Sequence, residues 1–176
     1  MRVNARKDME MHETLVRLFR HKASADDELL SALAQLGDDS PISHLATKAL
    51  SHSYVVDRIF AAHLRRQSHD YASANLTELP ALEDLAADLR RSDREYVDYV
   101  SGLAPEDLAE PIDFTFTDGA PGRMSREEML MHVITHGVGH RGQVSAVMLL
   151  NSLTPPSDGF TTYLHKAEAP ERRRAA

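Results

Sequence analysis

SREEMLMHVITHGVGHRGQVSAVMLL, residues 125–150, is the stretch whose reading decides the fold. Ser125 followed three residues later by Glu128 is a capping-box start for a helix. Behind it, apolar residues recur at alternating steps of three and four, the period of a packed helix. One stripe is Met129, Val133, His136, His140, Gln143, Val147 and Leu150. A neighbouring stripe, Leu130, Ile134, Gly137, Arg141, Val144 and Met148, is also mostly apolar, so a broad buried face is expected. His136 and His140 stand four apart, one turn apart on one face. That spacing lets a helix offer two imidazole nitrogens to one metal. Gly137, Gly139 and Gly142 each cost about 1 kcal/mol relative to alanine inside a helix. They point to a tight helix crossing or to room for a ligand.

Three more segments carry the same period. Leu15, Leu18, Lys22, Ala25, Leu29, Ala32 and Leu36 line the first, which ends near Gly37. The second opens at Ser40-Pro41, an N-cap with proline in the first helical position. Its stripe is Ile42, Leu45, Ala49, His52, Val56, Ile59 and His63. The third carries Leu82, Leu85, Leu89, Ser92, Tyr96, Tyr99 and Leu103. Gly37-Asp38-Asp39-Ser40 reads as a short polar turn, and residues 68–78 as a longer polar connection. Before the last helix, Ile112-Asp113-Phe114-Thr115-Phe116-Thr117 alternates like a strand, and Asp118-Gly119 is a turn signal. The expected fold is all-α, a four-helix bundle with a small hairpin or extended crossover before its last helix.

A histidine on an apolar stripe must find partners for its nitrogens once buried. For any one of them, a hydrogen-bonded core histidine is at least as good an explanation as a metal ligand. His52 lies inward on the second helix, and facing helices of a bundle build metal sites from inward side chains. His52, His136 and His140 would fill three positions around a metal and leave one open, the arrangement of a catalytic site. His132 lies one turn before His136, and four residues of a straight helix turn about 40° past a full circle. It is therefore expected beside the pocket or behind a ligand, as is Gln143. His63 is roughly 16 Å along the helix from His52, too far to share the ion. His12, His21, His44, His69 and His165 have no spacing argument and read as surface or local residues. Arg141 follows a ligand candidate and suits an anionic substrate or, better, a salt bridge. Asp57 points away from His52 and should pair with a basic neighbour, while Glu127 and Glu128 serve the helix start.

The 176 residues suit one domain. Ten histidines are many for this length, and the chain has no cysteine. Disulfides, cysteine-based zinc sites and a protein thiol nucleophile are thereby excluded. The net charge of −7 argues against a nucleic-acid-binding face. The polar start from Met1 lacks the apolar run of a signal peptide. No stretch is long enough for a membrane span. We expect a cytoplasmic protein with no nucleic-acid or membrane partner.

The run from His132 to Val144 resembles the H-x-x-x-H-x-x-x-H-R-G-Q hallmark of the DinB-like superfamily, named for DNA-damage inducibility. His52 followed by Asp57-Arg58 is similar to its second-helix motif. Phe114-Thr115-Phe116-Thr117-Asp118-Gly119 and Pro155-Pro156-Ser157-Asp158 also look like family features. Ser51 departs from it, because many relatives have asparagine before the ligand histidine. The resemblance implies an up-down-down-up bundle, often a homodimer, with Ni²⁺ or Zn²⁺ on His52, His136 and His140. It places one domain over residues 1–165 and a polar, flexible tail over 166–176. Relatives include thiol-dependent transferases and maleylpyruvate isomerase. The function it suggests is a metal-dependent enzyme acting on a small molecule, a transferase using a low-molecular-weight thiol or a hydrolase. The alternative is a non-catalytic, metal-binding stress-response dimer. The substrate, the thiol and the general base are not legible in the residues.

Overall fold

The computed structural model describes residues 2–36 and 40–172. Gly37, Asp38 and Asp39 of the expected turn lie outside the described residues, as do Arg173 and Arg174 of the tail. The chain is mostly helical. Its long helices are α1 (Arg2–Leu33), α2 (Pro41–Leu64), α3 (Leu82–Ser101) and α4 (Arg126–Leu150). A 3₁₀ turn (Pro105–Ala109) and a hairpin of β1 (Pro111–Thr115) and β2 (Pro121–Ser125) lead into α4. Short helices α5 (Phe160–Ala167) and α6 (Ala169–Arg172) follow it. Residues 166–172, expected as tail, are thus largely helical, and Glu168 pairs with Arg17 of α1 at 3.0 Å. Among the described residues, no helix is long and apolar enough to cross a membrane.

The helix starts follow from local chemistry. Ser40 caps α2 by accepting from the Ile42 N–H, with Pro41 next. At α4 the capping box is complete: Ser125 Oγ accepts from Glu128 N at 3.1 Å, and Glu128 accepts from Ser125 N at 2.7 Å. The hairpin turns at Gly119, whose φ of +88° is open to glycine at little cost. β1 and β2 pair antiparallel, with Ile112 opposite Met124 and Phe114 opposite Gly122. A Cβ on residue 122 would overlap the Phe114 ring. Glycine there lets the ring lie flat across the hairpin.

α1 packs between α3 and α4, and so does α2. Phe19 stacks on Tyr96, Lys22 meets Asp93, and Arg90 meets Asp27, so α1 and α3 run in opposite directions. Tyr96 and Tyr99 donate to the carbonyls of Asp57 and Leu64, so α2 and α3 run the same way. Arg126 donates to Leu64 O at 2.9 Å and binds Tyr99 and Glu110, pinning the start of α4 to the end of α2.

The core has two apolar halves. One gathers Leu15, Phe19, Phe60, Tyr96, Ile112 and Met129. The other gathers Leu29, Leu33, Leu50, Leu85, Val144 and Met148. Between them lies a polar waist, and the histidines sit at its level.

The α4 face differs from the first stripe read in the sequence. Leu130, Val133, Ile134, Gly137, Arg141, Val144 and Met148 are buried, whereas His136 and His140 are half-buried and Gln143 and Leu150 exposed. The core is therefore centred on the neighbouring stripe. This rotation carries the two histidines to the edge of the α2–α4 seam, where solvent and small molecules can reach them.

Candidate metal centre

His52 of α2 and His136 and His140 of α4 come together. Each offers one ring nitrogen, and the three atoms lie within 4.8 Å of one another. The His136 and His140 Nε2 atoms are 3.1 Å apart. Two nitrogens of one tetrahedral site, each about 2.0–2.1 Å from the ion, stand roughly 3.3 Å apart. The α4 pair is thus already spaced for a shared ion, and the His52 imidazole need move in by at most about 1.5 Å.

The surroundings orient these rings. His140 Nδ1 donates to Gln143 Oε1 at 2.9 Å. His52 Nδ1 faces two acceptors, Ala74 O and Asn75 Oδ1, each at 3.1 Å. A histidine whose Nδ1–H is engaged by an oxygen presents the lone pair of its Nε2, the usual support for a metal-ligating histidine. His136 Nδ1 is buried and has no partner among the described residues.

Charge on the two α4 rings is disfavoured. Burial, with the neighbouring His140, His132 and His52, pushes the His136 imidazole down to about 4. Burial also lowers His140, against its hydrogen bond to Gln143. Protons are held weakly on His136 and His140, which suits a cation that binds the neutral ring. The donor set and its spacing fit a metal ion, which the three histidines could hold.

The other site residues separate. His132 stacks on His136 at 5.4 Å and on Phe60 at 4.5 Å between ring centres, beside the triad and not in it. Gln143 orients His140. Arg141 is buried and turned away: it donates to Asp26 at 3.0 Å and to Asp158 at 2.8 Å. His63 packs on His69 and Phe114, well apart from His52.

Sequence reasoning missed the polar waist. Lys22 Nζ lies 2.9 Å from Asp26, 2.9 Å from Asp57 and 2.6 Å from Asp93, all buried. With Arg141, every long helix contributes a charge to this layer. Burial opposes the Lys22 charge, but three carboxylates outweigh it and hold the ammonium well above its usual range. Burial raises Asp57, and it raises Asp93 to about 7, in both cases against Lys22. His21, expected as a surface or local residue, is buried and meets Asp158 at 3.2 Å. The available signal was a lysine in the middle of the apolar stripe of α1, which demands buried anions from other helices. The layer touches the site: a Cβ on Gly137 would lie 3.2 Å from Lys22 Cε. Gly137 therefore marks close packing, whereas nothing lies within 4 Å of a Cβ on Gly139 or Gly142.

Fold and site together define a mostly helical protein with three histidines gathered between its second and fourth helices. A sequence model of the DinB family matches residues 9–174, and the chain belongs to that family. Among solved structures it is similar to a DinB-like protein from Bacillus cereus, with a TM-score of 0.60 and 20% identity, covering 82% of this chain and 95% of that one. That likeness concerns the fold. A comparison with curated proteins gave no match.

Proposed function

We propose that His52, His136 and His140 hold one divalent cation, nickel or zinc, and that the protein is a metal-dependent enzyme acting on a small molecule. The observation that carries this is the convergence of three imidazole nitrogens, two with their far nitrogens tied to oxygen acceptors. A metal on three protein ligands keeps a position open and, when bound, acidifies a thiol or water or polarises a carbonyl. The chain has no cysteine, so thiol chemistry would use a low-molecular-weight thiol as co-substrate. Among the described residues no carboxylate joins the triad. The metal itself would then have to generate the nucleophile, thiolate or hydroxide.

We read the four long helices as an up-down-down-up bundle and residues 1–165 as one domain. The antiparallel α1–α3 and parallel α2–α3 pairings support this, as does the meeting of His52 with both α4 histidines. We read the assembly as a homodimer in the cytoplasm. Exposed Val138, Leu149 and Leu150 on α4 and Leu45 on α2 support the dimer.

The test is a transfer assay pairing several low-molecular-weight thiols with a panel of electrophiles. Metal-loaded protein should accelerate at least one pair, and metal-stripped protein should not. Equal rates for loaded and stripped protein would overturn the thiol-transfer reading, and the absence of metal-dependent hydrolysis of the same electrophiles would leave the non-catalytic metal-binding alternative.

A further inference from the structure

Beside His52 lies a cavity of about 980 Å³, between the first half of α2 and residues 75–82 of the following connection. Its α2 wall carries Thr47, Lys48, Ser51 and His52 within six residues, so the cavity reaches the candidate metal ligand itself. Ser51 is the informative one. It is 1% exposed, and its Oγ has no hydrogen-bond partner. A helical hydroxyl ordinarily finds the carbonyl one turn back. Thr14 and Thr135 do so, at 2.8 Å to Glu10 O and 2.9 Å to Met131 O. Ser51 lines the cavity with that bond unmade. An unpaired buried hydroxyl is costly, and a χ1 rotation toward the cavity that Ser51 lines would give it a ligand oxygen as partner.

The charges choose among oxygens. Lys48 lies three residues before Ser51, one turn away on the same side of α2, and also lines the cavity. Across it, Glu78 supplies a negative charge. One cation against one anion favours a ligand with a single negative group and disfavours polyphosphates. On the opposite wall, Asn75 is already committed through Oδ1 to His52.

We propose, building on the metal reading above, that this cavity is the substrate pocket and takes a small molecule bearing one carboxylate. Ser51 Oγ donates to that carboxylate and Lys48 balances its charge. The remainder of the ligand extends past His52 toward the open position of the centre. Ser51 and Lys48 are in this sense binding and specificity residues.

The probe is N-acetylglycine, with its neutral amide N-acetylglycinamide as control, titrated into ¹⁵N-labelled protein with and without one equivalent of Zn²⁺. N-acetylglycine should shift the backbone amides of Thr47, Ser51 and Asn75, and N-acetylglycinamide should not. Ser51→Ala should weaken binding about tenfold, as one hydrogen bond to a charged group would. Lys48→Met should weaken it about threefold, since its charge is exposed. Both substitutions lie on a helix and leave the core intact, and an unchanged spectrum outside the cavity verifies that. Equal shifts from both probes, or equal affinity in both variants, would overturn the proposal. Zinc alone reports on the metal reading through the amides of His136 and His140. If zinc leaves those unmoved while N-acetylglycine still shifts Ser51, the metal reading fails and the carboxylate pocket stands. If zinc binds and the cavity amides stay still, the pocket fails alone.

Discussion

Replacing Lys22 with methionine removes the one ammonium that three buried carboxylates share. Each contact, at 2.6–2.9 Å, is worth about 6 kcal/mol of gross attraction at an effective dielectric of 20. Desolvation cancels most of that in the intact protein. Breaking such a group by deleting one partner costs about 3–5 kcal/mol, because the remaining charges stay buried. For a chain of this size each kcal/mol moves the melting temperature about 2–4 °C, so Lys22→Met should melt roughly 6–20 °C lower at pH 8. The loss should depend on pH with a definite sign. Burial already raises Asp57, and Asp93 to about 7. Without Lys22 both rise further, so between about pH 4 and those values the folded state binds more protons than the unfolded state. Stability then falls as pH rises through that window. The deficit of the variant should be smallest near pH 5 and largest at pH 8. Adding Asp57→Asn and Asp93→Asn should recover more than half of it. Differential scanning calorimetry at pH 5, 6.5 and 8 reads all of this. A deficit below about 1 kcal/mol at pH 8, or one that does not shrink on acidification, would refute the argument that this layer is a mutually dependent charge group.

Three further outcomes follow from the same geometry. His52→Ala, His136→Ala and His140→Ala should each abolish tight Zn²⁺ binding by calorimetric titration, while His63→Ala and His132→Ala retain it. Loss in His132→Ala with His140→Ala unaffected would move the site by one turn. Gly139→Ala and Gly142→Ala meet open space within one chain and should each stabilise the monomer by about 1 kcal/mol; a thermal melt at a concentration where the chain is monomeric that shows destabilisation would refute this. Light scattering at micromolar concentration should give twice the mass of the 19.6 kDa chain, and a value near one chain would remove the dimer.

Much of the site was legible because its parts are local. A four-residue spacing fixes His136 and His140 to one helix face whatever the tertiary structure, and Ser125 with Glu128 announces the helix that carries them. The first half of the hairpin was legible from the alternation of Ile112 through Thr117. Its return strand was not, since Pro121-Gly122-Arg123 has no alternation and forms because Gly122 admits the Phe114 ring. Two stripes on α4 had nearly equal apolar content, and only packing against α1 and α2 decides which faces the core. The polar waist was hidden for a different reason: Lys22, Asp57, Asp93 and Arg141 lie on four separate helices, and no spacing along the chain connects them. Lys22 did stand on the inward stripe of α1, and its burial implied buried anions, but not which ones.

The most direct measurement is the metal content of protein purified without chelator and without nickel-affinity resin, followed by titration of the stripped protein with Ni²⁺ and Zn²⁺. Elemental analysis should find about one divalent ion per chain, or the stripped protein should take up one equivalent, on His52, His136 and His140. Protein that contains no metal and takes up neither ion would contradict the account.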